Sequence, residues 1–365
     1  MALEREGCRV VFANDIAISK QRLYAANFGS AEYLLADIKT IRGRDVPDVE
    51  IATASFPCTD LSLAGARAGL RGEHSGMVWE FARVLDGMGQ RRPQVVLLEN
   101  VAGLYSSAGG GDLRDVISRL NEFGYWCDAL VLDARWFVPQ SRPRLFIVGS
   151  RQPIPSAEPF GLDPQFRRFP PSDLRPEWFT LFAERNPNLS LQAFPLERPS
   201  MTTATLADVV ERVAPDDARW WDSDRVSAFV TSLSDLNMAR VSRLRPSPRL
   251  TWRSAYRRTR NGIAVWEVRP DPISGCLRTA RGGSSKQAIV ELGEGQLRVR
   301  WMTPTEYARL QGAGDYKFGS ATPNQVLFGF GDAVCVPAVA WLAREYLVPL
   351  LGGPIREMSN RYAVG

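Results

Sequence analysis

QVVLLENVAGLYSSAGGGDLRDVISRLNEFGYWCDALVLD, residues 94–133, is the stretch whose reading decides the fold. Gln94–Leu98 is a short aliphatic run rich in Val and Leu, as buried strands are. Asp112–Phe123 then sets Leu113, Val116, Ile117, Leu120 and Phe123 at helical spacing, and Leu130–Asp133 is apolar again. Strand, helix, strand at this spacing is a crossover unit and predicts a largely parallel sheet covered on both faces. The same rhythm extends outward: Cys8–Ala13, Val49–Phe56 and Arg144–Val148 read as strands, and Gly76–Gly89 carries Met77, Phe81, Val84, Leu85 and Met88 at helical spacing. Residues 1–150 therefore read as a doubly wound, Rossmann-like α/β domain.

After Ser150 the rhythm stops. Prolines crowd the next stretch (Pro153, Pro155, Pro159, Pro164, Pro170, Pro171), and five of the ten tryptophans fall between residues 151 and 297. That region reads as a smaller inserted lobe, and 298–365 as a return to the first domain. The return is marked by a helix start at Thr303-Pro304-Thr305-Glu306, a capping box with Pro at the first helical position, and by an apolar helix from Ala333 to about Leu351. Between Val241 and Arg260 there are seven arginines (243, 245, 249, 253, 257, 258 and 260) and no acid. Trp252 and Tyr256 interleave them, which favours a folded contact surface over a solvated loop.

Bulk composition narrows the function. The 365 residues carry 45 basic and 40 acidic side chains, a net charge of +5 compatible with a polyanion partner. A single histidine, His74, excludes a multi-histidine metal site, and five cysteines without a CxxC pair give neither a zinc pattern nor a disulfide framework. No leader and no eighteen-residue apolar run is evident, so a cytoplasmic, reduced protein is expected. A nicotinamide dehydrogenase is disfavoured, because no GxGxxG turn follows the first strand.

Two features end strands on the rim where open α/β sheets bind ligands. One is Phe56-Pro57-Cys58, followed by a glycine-rich loop. The other is Glu99-Asn100-Val101. A lone cysteine is ordinarily a small core hydrophobe, but a rim position facing a carboxylate favours chemistry.

FPCTDLS (56–62), ENVAGL (99–104), PQSRPRLFIVGS (139–150), WMTPTEYARLQG (301–312) and FGFGDAVCVPAVAWLA (328–343) occur in this order. Together they resemble the motifs of the cytosine-C5 DNA methyltransferases of the bacterial restriction–modification type. The resemblance covers roughly two thirds of the chain. It implies that Cys58 adds to C6 of a flipped-out cytosine, and that Glu99 binds N3 and the exocyclic amine. Arg142 and Arg144 would neutralise charge near the base carbonyl and flanking phosphate, with Gln140 holding their strand. It further implies S-adenosylmethionine as methyl donor: Asp15 for the ribose, Ile16 for the adenine face, Asp37 for the adenine amine, and Ile38, Phe56, Pro57, Asp332 and Ala333 around them. Duplex DNA is the implied partner, read by the lobe of residues 151–297.

Two departures stand out. The family opens with a strand and a glycine-rich turn, whereas residues 1–7 look like the end of the helix that follows them, so the opening strand is expected to be missing. Asp332 stands where the family usually has Asn. Three accounts remain open: an incomplete chain, a split enzyme whose opening strand comes from a second polypeptide, or a relative that binds DNA without catalysis. A cytosine-C5 methyltransferase acting on RNA is the rival enzyme.

Overall fold

The structure, a computed structural model, describes residues 1–56, 76–153, 171–260, 262–279 and 286–352. It begins with a helical turn α1 (Ala2–Arg5), strand β1 (Ala13–Asp15), helix α2 (Ile18–Phe28) and strand β2 (Tyr33–Leu35). Then come β3 (Ile51–Ser55), α3 (Met77–Met88), β4 (Val95–Val101), α4 (Gly111–Glu122), β5 (Trp126–Asp133) and β6 (Pro143–Ser150). In β4 the alternation of a strand sends side chains to two cores. Val96 and Leu98 pack with Leu85, Val116 and Leu120 of α3 and α4. Val95 and Leu97 pack on the opposite face with Val339, Leu342 and Tyr346.

The sheet order is β3-β4-β6-β5, and only β3 and β4 are parallel within it; β6 runs antiparallel to both its neighbours. The expectation of a largely parallel sheet is corrected here. Residues 134–142 are too few for a crossover, which takes a dozen or more residues, so β6 turns back and inserts between β4 and β5. Strands β1 and β2 form a separate two-stranded parallel sheet. The strand expected at Cys8–Ala13 is shifted toward the C-terminus: β1 pairs with β2 over Ala13–Asp15. Helix α2 and strand β2 escaped the sequence reading, since Leu23 is the buried residue of that helix and β2 is three residues long.

Beyond β6 lie α5 (Glu177–Arg185), α6 (Leu206–Val209), α7 (Ser223–Thr231) and α8 (Asp235–Leu244). An antiparallel sheet follows, built from β7 (Thr251–Arg260), β8 (Ile263–Val268), β9 (Gln287–Gly293) and β10 (Gln296–Trp301) in the order β10-β9-β7-β8. One face packs Ala255, Trp266, Val290 and Val299 against Phe229 and Val241 of α7 and α8. The other packs Trp252 and Ile289 against Tyr307, Leu310 and Phe330. The arginine run is therefore neither loop nor uniform contact surface. Arg253 is buried, Arg257 lies over the Trp266 ring, and Arg258 and Arg260 pair with Glu267.

The chain returns through α9 (Pro304–Leu310), whose capping box between Thr303 and Glu306 is formed as the spacing predicts. After it come α10 (Pro323–Asp332) and α11 (Val336–Leu342), which continues helically to Leu350. The apolar helix thus begins three residues later than expected, because Ala333 and Cys335 take extended backbone angles. Residues 323–350 are long and apolar enough by composition to cross a membrane, with a window of mean hydropathy 1.8, contrary to the expected lack of such a run. Two thirds of that window (67%) is buried against the rest of the fold, which is the environment of a core helix.

Candidate active site

Where β3 ends, Asn100 takes over the backbone. Its Nδ2 donates to the Phe56 carbonyl at 3.0 Å and its Oδ1 accepts from Val101 N at 2.8 Å, so the last described residue before Pro57-Cys58 is tied to β4. Pro57 and Cys58 themselves lie outside the described residues, as does His74.

Glu99 points to the opposite face from Asn100. It shares that face with Phe146, its partner in the ladder, and Arg144 is two residues away on β6. That register brings Arg144 Nε to 2.9 Å from Glu99 Oε1. Glu99 Oε2 makes no hydrogen bond among the described residues. The carboxylate instead lines a cavity of about 210 Å³ with Thr53, Ser55, Leu97, Phe146 and Val334.

Gln140 and Arg142, which flank this pair in sequence, do something else. Gln140 is fully buried and joins three segments: its Nε2 donates to the Leu310 carbonyl at 2.7 Å and its Oε1 accepts from Leu277 N at 3.1 Å. Arg142 is 2% exposed and donates to the carbonyls of Leu277, Gly331 and Ala333 at 2.7, 3.1 and 2.7 Å. Burial and the neighbouring Arg144 hold its pKa below the usual guanidinium value. Arg142 therefore clamps the segments 276–277 and 331–333 to β6. Gly331 makes the clamp possible, because a Cβ there would lie 2.5 Å from the Arg278 carbonyl.

A second cluster lies at the ends of β1 and β2. Asn14 Nδ2 donates to the carbonyls of Leu34 and Ala36, both at 2.9 Å, and so aligns the two strand ends. Asp15 accepts from Ala17 N at 2.8 Å, and Asp37 from Lys39 N at 2.9 Å, each turning the chain into a helical segment. Between them Ile16 is 66% exposed, an apolar side chain left on an open rim. Ile38 is half-buried. Lys20 links this cluster to the 331–333 segment, with its Nζ 3.1 Å from Asp15 and 3.3 Å from Asp332. Burial lowers the lysine pKa, but the two carboxylates outweigh it and the net shift is upward. Asp332 also accepts from Thr279 Oγ1 at 3.1 Å.

A family profile described as C-5 cytosine-specific DNA methylase matches residues 1–347. The chain belongs to that family. Among its relatives, the Type II methyltransferase M.Bsp6I of Bacillus sp. (strain RFL6) is 25% identical over 345 residues, 93% of this chain and 92% of that protein. The Type II methyltransferase M.HhaI of Haemophilus parahaemolyticus is 31% identical over 155 residues, which is 42% of this chain and 46% of that protein. Two solved structures share the fold at lower identity. The S. pombe Dnmt2 methyltransferase has a TM-score of 0.54 at 17% identity, over 96% of this chain and 94% of that one. The Entamoeba histolytica methyltransferase EhMeth has a TM-score of 0.58 at 12% identity, over 93% and 90%. The match spans both clusters of this C-5 cytosine methylase.

Two polar residues of the site were not singled out in the sequence. Lys20 carries no motif signal, and its role is visible only because α2 brings it between two aspartates. Cys276 begins the CLRTARGGSSKQ stretch, yet its approach to Arg142 and Arg144 depends on chain segments more than 130 positions apart.

Proposed function

We propose that this chain transfers a methyl group from S-adenosylmethionine to C5 of a cytosine in duplex DNA, as a Type II restriction–modification methyltransferase acting in the cytoplasm. The observation that carries this reading is Glu99, with one oxygen beside Arg144 and the other without a hydrogen bond among the described residues, next to Asn100, which ties down Phe56 two positions before Cys58. A cytosine turned out of the stack exposes N3 and its amine, and Glu99 is the group to engage both. Cys58, as thiolate, forms a bond from its sulfur to C6, and the electron pair displaced from the C5–C6 bond makes C5 nucleophilic. Glu99 supports that shift by holding a proton at N3. Once C5 carries the methyl group, loss of the C5 proton and of the Cys58 thiolate restores the aromatic ring.

S-adenosylmethionine, when bound, supplies an electrophilic methyl group. The residues at the β1 and β2 ends fit its parts by chemistry. Ile16 offers an apolar face to adenine, and Asp15 and Asp37 offer carboxylate oxygens to the ribose hydroxyls and adenine amine. Lys20 and Asp332 offer opposite charges to the amino-acid end. Ile38, Phe56, Pro57 and Ala333 complete the surround. We assign target recognition to residues 151–297, whose arginines could serve phosphates or guanine edges.

A second reading concerns completeness. Among the described residues, strand β1 is bonded to β2 alone and β3 to β4 alone, and Thr53, Ala54 and Ser55 of β3 line the cavity beside Glu99. Free strand edges are templates for pairing, and we infer that a further extended segment, supplied by a second polypeptide, pairs there to complete the cofactor site. The test incubates the 365-residue chain with labelled S-adenosylmethionine and duplex DNA or transfer RNA, with and without an added strand and glycine turn. Formation of 5-methylcytosine in DNA by the chain alone removes the need for a partner strand. Formation only with the added strand supports completion in trans. Transfer to RNA alone overturns the DNA reading, and salt-dependent DNA binding without transfer in any mixture identifies a binding protein without catalysis.

A further inference from the structure

Arg142 poses a charge problem. Its guanidinium is 2% exposed, its Nε is buried without a hydrogen-bond partner, and its terminal nitrogens meet three backbone carbonyls and no carboxylate. A buried cation is costly unless an anion answers it. Arg144, beside it, is answered by Glu99 at 2.9 Å. The Arg142 guanidinium itself meets no carboxylate within hydrogen-bond distance among the described residues.

Among the described residues, the ionisable group within hydrogen-bond reach of Arg142 is a thiol. Cys276 Sγ lies 3.2 Å from Arg142 Nη1 and 3.7 Å from Arg144 Nη2. We infer that Cys276 is ionised in the folded protein and is the anionic partner of the Arg142–Arg144 pair, positioning the Arg144 guanidinium against Glu99. Its proton is released to solvent. The catalytic consequence rests on the reading of Glu99 as the base-binding group; the ionisation does not.

The surroundings agree. Burial pushes the Cys276 thiol up, but the two guanidiniums on β6 more than offset it, so the net shift is downward. Cys8 and Cys335 show the effect of burial without such a pair: the first is raised and the second is pushed up to about 12. Leu277 O lies 3.4 Å from Cys276 Sγ, where a neutral thiol could donate to it, but that carbonyl already accepts from Arg142 Nη1 at 2.7 Å. Ionising the sulfur therefore leaves no acceptor unsatisfied. Glu99 is the carboxylate linked to the pair, through Arg144.

The sign of the linkage follows. A thiol whose folded pKa is depressed adds stability above its unfolded pKa of about 8.5 and loses it as pH falls through the folded value. The thermal advantage of the native protein over Cys276→Ser therefore grows as pH rises between those two values.

The primary test uses a Cys58→Ser background, so that Cys276 is not confused with the proposed nucleophile. The thiolate absorbance at 240 nm is compared with that of the Cys58→Ser/Cys276→Ser protein from about pH 5 to about pH 10. A signal already present at pH 7, with a midpoint at least about one unit below that of a free cysteine, supports the inference. A signal that appears only above about pH 8.5 overturns it. Because the double variant could be destabilised, melting temperatures of Cys276→Asp and Cys276→Ser at pH 7 give a second readout. Aspartate keeps the charge and serine keeps the volume. Aspartate closer to native supports an anionic role, and serine closer to native sinks it. Neither measurement reads methyl transfer, so an inactive protein counts against the proposed function and leaves this inference to its own test. Where transfer is measured, Cys276→Ser lowers kcat about tenfold, KM for S-adenosylmethionine stays unchanged, and Cys276→Asp restores part of the rate; equal rates for native and serine proteins overturn the positioning role.

Discussion

Each large sheet carries an arginine–carboxylate pair, and the two pairs are built for different ends. In the antiparallel sheet Arg300 and Glu306 are each 1% exposed. Glu306 accepts from Arg300 Nη1 at 2.9 Å and from the backbone N–H groups of Thr303 and Glu211 at 2.8 Å each. Arg300 also donates to the carbonyls of Trp301 and Glu211. That carboxylate is fully engaged, and the pair locks β10 to the start of α9. In the mixed sheet Glu99 and Arg144 stand at 11% and 15% exposure, and among the described residues Glu99 Oε2 takes no hydrogen bond, beside a cavity that Glu99 lines. The same two chemical groups make a lock where every lone pair is used, and a site where one is left over.

Substitutions can break or sharpen that contrast. The largest effect is expected at Cys58. Cys58→Ser removes the proposed nucleophile and should lower kcat on the order of 10⁴-fold or more, while DNA binding, followed by gel shift, persists. Glu99→Gln comes next. It keeps the shape and part of the contact to Arg144, so the melting temperature moves by about 2 °C or less, but kcat falls on the order of 10²–10³-fold. Arg300→Met should show the reverse. Leaving Glu306 buried without its partner costs on the order of 3–5 kcal/mol, read as a fall of about 4–7 °C in Tm. If Arg300→Met melts with the native protein while Glu99→Gln unfolds, the contrast between lock and site is wrong.

Smaller effects are expected between the two clusters. Gly331→Ala would drive a Cβ to 2.5 Å from the Arg278 backbone. We expect about 1–3 kcal/mol of destabilisation in a denaturant titration and a raised KM for S-adenosylmethionine, since Thr279 and Asp332 shift with it. Lys20→Met, at a half-exposed ion pair, should raise that KM by about tenfold or less and leave kcat unchanged. A change in kcat alone would place Lys20 in the base site and away from the cofactor.

The legible part of this molecule was local. Val95–Leu98 announced a strand because it is a short aliphatic run, and Gly111–Glu122 a helix because its apolar residues fall on one face. Glu99 and Cys58 drew attention because they follow such runs. The antiparallel sheet stayed hidden for a physical reason. Its strand Gln287–Gly293 is buried at every residue, so no period-two alternation was available to read there. The arginine-rich β7 concealed it further, because its charges are satisfied by Glu267 and by aromatic rings that are distant in sequence or on another strand.

By itself the sequence determined the membership of this chain in its family, the order of its motifs and the identity of the groups able to do chemistry, all of which are properties of residues close together along the chain. Tertiary structure alone decided which arginine serves the site. Arg142 and Arg144 are two positions apart and look equivalent in a motif, but strand pairing sets Arg144 beside Glu99, while the 276–277 and 331–333 segments close over Arg142. Burial and hydrogen-bond saturation depend on segments that meet only after folding, so the division between a buried clamp and a partly exposed ion pair belongs to the fold.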